Sequence, residues 1–330
     1  MKFNEQHTIE NHIIKFIKDE LGYEYIPAEE FSKLRMFENE FIVTPHLLEA
    51  VQKINNVPDE VAQSIVREVK KIDTNEAFLN VIRQGVNLKD PETGKSRDFK
   101  IVDLDTPENN RFVVTNQFYF EGTTENIRPD VMIFVNGLPL SDIEAKSPTA
   151  SSSVSFENAI DQIKRYERVA SRLFLPNCFN IATDGLKTVY GATYSPKQYF
   201  IAWREDPHIG TKKFEDELDS TLYFLFAKEQ LLDIVKNFIV FEKKKDRITK
   251  KLARYQQFYA ANKIVERVKD GEQKRGLIWH TQGSGKTLTM FFTAWKLRYE
   301  PELKNPKVFI LIDRIDLDDQ VYEEFEAWGG

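Results

Sequence analysis

The chain has 330 residues, with 46 lysines and arginines against 52 aspartates and glutamates and a formal net charge of −6. This length predicts two units, and the acidic balance argues against a protein that holds a polyanion by net charge alone. A single cysteine, Cys178, excludes an internal disulfide and a cysteine-based zinc cluster. No apolar run approaches the ~20 residues that span a bilayer, and the first residues are too polar for a signal peptide. We therefore expect a cytoplasmic protein.

Amphipathic segments dominate the first 84 residues. Isoleucines at helical spacing predict a helix over 8–21, which Gly22 ends. A second amphipathic stretch covers about 46–71. A third covers about 74–84 and ends at Gly85. The N-terminal part of the chain is thus predicted to be helical.

Strand patterns begin near residue 98. Alternation over 98–104 and the apolar run 111–122 predict two strands. Two more apolar runs, 131–135 and 138–143, are separated by the pair Asn136-Gly137. An Asn-Gly pair between such runs is the strongest short signal for a β-hairpin.

The rest of the chain alternates helices and strands, with one basic run that we interpret as the join between two units. The predicted elements are a serine loop at 151–153, a helix over 155–170, strands at 179–183 and 187–193, helical structure over 213–240 and the basic join at 242–256. Helix, strands, helix and strands in this order predict an α/β fold with a mixed sheet.

Two carboxylates and a lysine flank the predicted hairpin. Asp130 precedes the first run, and Glu144 and Lys146 follow the second. A hairpin would bring Asp130 and Glu144 to one end of the sheet, and Lys146 would share a face with Glu144. Carboxylate oxygens suit Mg²⁺, with Asp130 and Glu144 as ligands, and Lys146 could orient water and offset developing charge. Charges at strand ends are also often merely solvated, so the pattern alone leaves both interpretations open.

A glycine-rich run follows a short apolar stretch at 277–279, which we predict to be a strand, and precedes an apolar helix start. This is the context of a phosphate-binding loop, because glycines let backbone N–H groups converge on phosphate oxygens. Lys286 would reach the phosphates and Thr287 would coordinate Mg²⁺. The predicted ATP-binding residues are Gly283, Ser284, Gly285, Lys286 and Thr287.

The carboxylate motif resembles a known nuclease signature. Pro129-Asp130 and Glu144-Ala145-Lys146 are similar to the motif of the PD-(D/E)xK superfamily, whose core is helix, three strands, helix, strand. The next predicted helix carries Gln162 and Tyr166 four residues apart, and hence on one face. This pair resembles the accessory motif of RecB-like nucleases, which helps to position DNA.

The C-terminal segment resembles superfamily 2 helicase motors. The run from His280 to Thr287 is similar to their motif I, with His280 where the common phosphate loop begins with glycine. The run 254–257 resembles the Q-motif. That resemblance implies that Gln257 contacts the adenine, with Gln256 as the alternative.

A further apolar run at 308–320, predicted to be a strand that ends in charges, resembles motif Ia in the form found in type I restriction motors. The resemblance implies that Asp313 and Arg314 lie near the DNA backbone. A buried parallel strand with a solvated end would have the same pattern.

Together the motifs resemble the R (HsdR) subunit of type I restriction–modification enzymes. The resemblance implies an endonuclease domain over 1–240, with its core at about 74–195, and the beginning of a first RecA-like P-loop domain over 241–330. It implies Mg²⁺-dependent, non-specific cleavage of unmethylated double-stranded DNA away from the recognition site, ATP-driven translocation, and methyltransferase and specificity subunits as partners.

Two alternatives stay open, and two features of a complete motor are missing. A RecB-like repair nuclease–helicase acting at DNA ends would share these motifs, and a non-catalytic DNA-binding or assembly module would share the fold. The sequence carries no Asp-Glu motif after 308–320 and no second motor lobe. We therefore expect 255–330 to be an incomplete motor, poorly packed and unable to hydrolyse ATP productively by itself.

Overall fold

The computed structural model describes residues 6–91, 93–147, 155–204, 214–245, 247–313 and 315–329. These residues form two compact units. The first holds residues 6–203 and 214–236, and the second holds residue 204 and residues 237–329. The serine loop predicted at 151–153 lies outside the described residues. Within them, no helix has the length and apolar character needed to cross a membrane.

The first unit is a mixed α/β structure. Its helices and strands in chain order are α1 (Gln6–Asp19), β1 (Glu24–Tyr25), α2 (Ala28–Ser32), α3 (Thr44–Asn55), α4 (Asp59–Val69), α5 (Asn75–Gln84), β2 (Val86–Lys89), β3 (Ser96–Phe99), β4 (Phe112–Asn116), β5 (Val131–Val135), β6 (Leu138–Ala145), α6 (Ser155–Val169), β7 (Phe179–Thr183), β8 (Thr188–Ala192), α7 (Glu217–Phe226) and α8 (Lys228–Asn237).

A six-stranded sheet in the order β1-β4-β5-β6-β7-β8 forms the centre of the first unit. The pairs β4–β5, β5–β6 and β7–β8 are antiparallel, and β1–β4 and β6–β7 are parallel. The sheet is therefore mixed, as predicted. Every residue of β5, β6 and β7 is buried, which explains why these strands have continuous apolar runs with few exposed polar positions.

The predicted hairpin forms between β5 and β6. Asn136 and Gly137 both have left-handed backbones, with φ of 52° and 79°, which is the geometry that a two-residue turn between twisted strands requires. A Cβ at Gly137 would lie 2.5 Å from the carbonyl oxygen of Val43. Glycine is therefore needed there for space as well as for conformation.

Helices cover this sheet and end where their caps dictate. The helix α1 packs on β4, β5 and β6, and α6 packs on β6 and β7. The helix α5 begins at the predicted position because the Thr74 hydroxyl accepts a hydrogen bond from the Ala77 N–H and caps the first turn. The helices predicted over 8–21, 74–84 and 155–170 and the strands predicted at 179–183 and 187–193 are all present within two residues.

The amphipathic stretch predicted over 46–71 is interrupted. It forms two helices, α3 and α4, because Asn56 has a left-handed backbone with φ of 53° and Pro58 follows it. A left-handed residue ends a helix, and proline restricts the residue before it to an extended conformation.

Two predicted strands are shorter than expected. The strand predicted over 98–104 ends at Phe99, in a separate hairpin with β2. After it the chain turns around Asp103, whose carboxylate accepts from the N–H groups of Asp105 and Thr106. The strand predicted over 111–122 ends at Asn116, because the next residue, Gln117, has φ of 48° and leaves the pleat.

The helical region that precedes the second unit ends at Asn237, earlier than predicted, and is divided into two helices. The helix predicted over 213–240 is interrupted at Ala227, whose ψ of 129° separates α7 from α8. Most of the predicted join at 242–256 forms an antiparallel hairpin that belongs to the second unit. The elements of this unit are β9 (Ile239–Lys244), β10 (Arg247–Leu252), α9 (Tyr255–Asp270), α10 (Lys286–Arg298) and α11 (Ile315–Ala327).

The two apolar runs predicted as motor strands do not form strands among the described residues of this unit. Leu277 and Trp279 are 90% and 92% exposed, and Phe309 is 83% exposed. A β-strand needs a neighbouring chain to satisfy its N–H and C=O groups. Within the described part of the unit, the only ladder joins β9 to β10. The prediction of strands at 277–279 and over 308–320 is therefore wrong for this structure, in which residues 315–320 belong to α11. The expectation of poor packing agrees with the exposed side chains.

Candidate nuclease and phosphate-binding sites

The β5–β6 hairpin brings Asp130 and Glu144 together at one end of the sheet. Val131 pairs with Ile143, so the residues just outside that pair are neighbours. The backbone N–H of Asp130 donates to Glu144 Oε1 at 3.2 Å, and the backbone N–H of Ala145 donates to Asp130 Oδ2 at 2.9 Å. These reciprocal bonds fix both carboxylates against the hairpin.

Lys146 completes this group. Its Nζ lies 3.8 Å from Asp130 Oδ2 and 3.6 Å from Glu144 Oε2. Its backbone N–H donates to the Thr183 carbonyl and so continues the parallel ladder beyond β6. Asp130 and Glu144 are buried, whereas Lys146 is half-buried. Lys146 is therefore the solvent-accessible member of the group, and the sheet holds the two buried carboxylates beside it.

Burial makes the ionised carboxylate pair costly. Burial raises the pKa of Glu144 well above its ordinary value, the neighbouring carboxylates of Asp142 and Asp130 raise it further, and Lys146 opposes the shift. Glu144 Oε2 is buried and has no hydrogen-bond donor. A buried oxygen of this kind, beside a second carboxylate, suits a hard cation that would stabilise the ionised form.

The residues present fit a magnesium ion in number and type. Among the described residues, no three side chains of His, Cys, Asp or Glu form a metal-binding group. Mg²⁺ commonly keeps several waters and uses one or two protein carboxylates together with substrate phosphate. Asp130 and Glu144 are the pair that would hold it.

Sequence reasoning missed Glu10, which lies beside this group. The side chain of Gln117 donates to Asp130 Oδ1 at 3.2 Å and to Glu10 Oε2 at 3.0 Å, so one amide joins α1 to the carboxylate site. Glu10 is only 3% exposed. The signal was available, because Glu10 shares the apolar face of α1 with Ile13, Ile14 and Ile17.

A second missed residue, Asp142, lies on β6 two positions before Glu144 and hence on the same face. Its side chain is fully buried, and neither carboxylate oxygen has a hydrogen-bond partner. Burial raises the pKa of Asp142 well above its ordinary value, with Asp130 and Glu167 adding to the shift and Lys146 opposing it. The signal here was an acidic residue inside an otherwise apolar run.

Gln162 and Tyr166 lie on α6, whose residues reach this site. The Gln162 side-chain amide donates to the Tyr166 hydroxyl at 2.7 Å, and that hydroxyl donates to the Arg128 carbonyl at 3.4 Å. Burial raises the pKa of Tyr166, and the carboxylates of Glu144 and Asp142 raise it further. The structure thus brings the predicted accessory pair near the predicted catalytic residues.

In the second unit, the glycine-rich run forms a loop that leads into α10. Gly283 and Gly285 both have φ of 78°, and Gly285 is the N-cap of the helix. Lys286 is exposed, and its Nζ donates to the Thr281 carbonyl at 2.9 Å across the loop. Ser284 is buried, and Thr287 is half-buried on the first helical turn. Free N–H groups at a helix start favour an anion.

Gln257 contacts this loop directly. Its side-chain amide donates to the carbonyls of Ser284 and Gly285 at 3.1 and 3.3 Å, while its Oε1 accepts from the Arg254 N–H at 2.9 Å. A Cβ at Gly285 would lie 2.5 Å from Gln257 Nε2. Of the two glutamines that the sequence left open, Gln257 is therefore the one that the fold joins to the loop.

The predicted DNA-contacting pair near the C-terminus is only partly described. Asp313 is exposed in a bend after the apolar run. Arg314 lies outside the described residues.

Comparison with known proteins identifies the family. The family described as "Type I restriction enzyme R protein N terminus" matches residues 2–199. The chain belongs to this family. The SWI2/SNF2 ATPase family matches residues 256–330. The resemblance derived from the motifs is thus confirmed, and so is the mixed α/β character of the fold.

Curated relatives carry names of the same kind. The type I restriction enzyme HindI endonuclease subunit of Haemophilus influenzae is 34% identical over 93% of this chain and 31% of its own length. The putative MjaIXP endonuclease subunit of Methanocaldococcus jannaschii is 31% identical over 99% of this chain and 34% of its own length. A Staphylococcus aureus subunit, SauMSSORF170P, is 28% identical over 99% of this chain. The chain spans about a third of the length of these relatives.

Proposed function

We propose that the chain belongs to the restriction and DNA-translocation subunit of a type I restriction–modification complex, and that its first unit cleaves double-stranded DNA. The observation that carries the proposal is the group of Asp130, Glu144 and Lys146, with the lysine Nζ within 4.0 Å of both carboxylates. The element order α5, β4, β5, β6, α6, β7 supports a PD-(D/E)xK core, and the names of the relatives support the restriction role.

Each residue has a separate task in the proposed cleavage. Asp130 and Glu144 hold Mg²⁺, which when bound supplies positive charge to the phosphate and lowers the pKa of a water. Lys146 orients the attacking water and offsets the charge that develops on the phosphate oxygens. Gln162 and Tyr166, fixed by their mutual hydrogen bond, position the DNA strand beside the carboxylates.

The second unit is proposed to be the beginning of a RecA-like ATPase. Lys286 and the N–H groups of the glycine loop hold the phosphates, Thr287 coordinates the Mg²⁺ that accompanies ATP, and Gln257 contacts the adenine. Asp313 and Arg314 are proposed to lie at the DNA backbone. ATP-driven movement of DNA would deliver the duplex to the nuclease unit, and methyltransferase and specificity subunits would supply site recognition in the cytoplasm. Recognition by other chains is consistent with the acidic net charge of this one.

The competing function is a repair nuclease–helicase that acts at DNA ends. The pair Gln162 and Tyr166 resembles a motif of such enzymes, and the nuclease chemistry would be the same. The two functions differ in their substrate, because a restriction subunit cuts circular DNA and requires its partner subunits, whereas an end-acting enzyme requires a free end.

The test is cleavage of an unmethylated circular plasmid by the gene product, with Mg²⁺ and with or without ATP and the two partner subunits. We expect cutting only in the complete mixture, and its loss on replacing Lys146 by alanine. The matched control is Lys95→Ala, which removes an exposed lysine of the β3 hairpin and should cut normally. Cutting of linear DNA from its ends without partners would support the repair function instead. Equal cutting by the Lys146→Ala variant would contradict the assignment of the site.

A further inference from the structure

The basic run between the two families' matched segments forms a paired two-stranded ribbon. Its strands β9 and β10 are in register from Ile239 opposite Leu252 to Lys244 opposite Arg247. Lys245 lies at the turn with φ of 50°. We call residues 239–245 and 247–252 the basic ribbon.

One end of the basic ribbon is anchored in the core of the second unit. Ile239 is fully buried, and the adjacent Phe238 packs against the rings of Phe258 and Phe292, with centroids 4.8 and 5.4 Å apart. The Ala253 N–H donates to the Phe238 carbonyl at 2.9 Å and closes the base. This end of the ribbon is therefore fixed, and the turn at Lys245 is the opposite end.

The far end is strongly positive. Residues 243–247 contain four lysines and arginines against one acidic residue, in a chain whose net charge is −6. Lys243, Lys244, Lys245 and Arg247 are all exposed. The other peripheral hairpin, β2 with β3, carries three basic and three acidic residues over 86–99. Exposed charge of one sign is thus specific to the basic ribbon and is not a general property of the hairpins of this protein.

The concentration of positive charge destabilises the basic ribbon. Lys244 and Arg247 face each other directly across the strands, and like charges in that position destabilise a hairpin. Glu242 is shared by Lys244 at 3.1 Å and Lys251 at 2.7 Å. A bound anion would relieve this repulsion.

We propose that the basic ribbon is a sequence-independent DNA-binding arm, in which Lys244, Lys245 and Arg247 contact the phosphate backbone of duplex DNA. The choice of DNA as the polyanion rests on the proposed function. A two-stranded ribbon is narrow enough to approach or enter the major groove of B-DNA. Contacts of lysine and arginine with phosphates supply affinity and register without reading bases, which suits a subunit whose target recognition resides elsewhere.

The test measures binding of this chain to a fluorescein-labelled DNA duplex of arbitrary sequence, by anisotropy over a series of salt concentrations. Each phosphate contact contributes about 0.9 to the slope of log K against log salt. Replacing Lys245 and Arg247 by glutamine should reduce that slope by roughly two and weaken binding on the order of tenfold at low salt.

A matched control removes the same charge from the other hairpin. The double variant Lys89→Gln, Lys95→Gln loses two exposed lysines of β2 and its turn and should keep the wild-type slope. Thermal unfolding of both double variants shows whether each is folded, and the ribbon variant should be at least as stable as the wild type, because Arg247 no longer opposes Lys244. Equal slopes for the two double variants, with both folded, would overturn the proposal.

The result is separable from the test of the nuclease site. Lys146→Ala should lower cleavage by about 10²–10³-fold, whereas the ribbon variant should lose slope with the carboxylate site intact. Cleavage that depends on Lys146, together with an unchanged slope in the ribbon variant, would contradict the DNA-binding arm and leave the proposed function standing.

Discussion

The two candidate sites begin from similar sequence patterns and have different surroundings. Each lies next to an apolar run, Val131–Val135 in the first unit and 277–279 in the second. The first run is a fully buried strand with a partner on either side. The second forms no strand in the described part of the chain, and its Leu277 and Trp279 are almost fully exposed.

The difference shows which features of a site depend on nearby residues and which depend on residues far apart in the sequence. The glycine loop, the start of α10 and the contact of Gln257 form without the neighbouring strands, because they depend on nearby backbone conformation and on the packing of α9 against α10. A strand requires partners that come from distant parts of the sequence. The nuclease site needs such partners, since its carboxylates are placed by strand pairing, and the first unit supplies them.

The largest expected effect tests whether cleavage at the nuclease site depends on the ATP site while ATP hydrolysis does not depend on the nuclease site. Lys146→Ala should lower plasmid cleavage by the assembled complex by about 10²–10³-fold and leave ATP hydrolysis unchanged. Lys286→Ala should abolish ATP hydrolysis and cleavage together, because the proposed cleavage depends on ATP-driven translocation. Parallel assays of DNA cutting and phosphate release measure both. Normal cutting by the Lys286→Ala variant would show that the nuclease site works independently of the motor.

A smaller effect distinguishes the two glycines of the phosphate loop. Both have φ of 78°, so alanine at either position costs about 1–2 kcal/mol of conformational energy. Only at Gly285 would the new Cβ meet the Gln257 amide, at 2.5 Å, whereas at Gly283 no described atom lies within 4 Å. Displacing that amide leaves buried groups unsatisfied, at a further cost of about 1–3 kcal/mol.

The measurement is thermal unfolding of the two variants, with Gly283→Ala as the control for backbone strain. Gly285→Ala should be the less stable of the pair, and a Gln257→Ala background should reduce the difference between them. Equal stabilities in the wild-type background would show that the contact of Gln257 with the loop contributes nothing.

Much of the nuclease site could be predicted because its determinants are short in sequence. The Asn136-Gly137 turn begins the hairpin, and a register shift between Ile133 and Phe134 then places Asp130 beside Glu144. The spacing of Gln162 and Tyr166 is likewise a property of one helix. The turn and the helical spacing can be predicted from a single sequence, whereas the register shift inside the hairpin cannot.

The residues that could not be predicted are those that depend on how distant elements meet. Glu10 reaches the site through Gln117, whose left-handed backbone ends β4 and turns its amide towards α1. The basic ribbon is a different case, because it is a local hairpin that its run of charged residues did not indicate; the strand pairing from Ile239 opposite Leu252 to Lys244 opposite Arg247 reveals it. Tertiary packing and strand pairing are set by contacts far apart in the chain, and local pattern does not encode them.

The smallest expected effect concerns the buried carboxyl group of Asp142. Its pKa in the folded state is raised well above the value of 3.8 that it would have in the unfolded chain. The unfolded chain therefore releases this proton at lower pH than the folded protein does. The contribution of this group to the free energy of unfolding falls as pH rises from about 4 towards the folded-state pKa, by up to about 1.4 kcal/mol per pH unit. Asp142→Asn removes that dependence.

In buffers containing EDTA, the Asp142→Asn variant should be more stable than the wild type at pH 8, with the difference shrinking towards pH 4. Denaturant unfolding across this range measures it, and Asp73→Asn, a change at an exposed aspartate, should show no such trend. An Asp142→Asn variant that is less stable at every pH would mean that the ionised carboxylate makes a favourable contact in the folded protein. Lys146 would then stabilise the ionised carboxylate of Asp142 as well as those of Asp130 and Glu144.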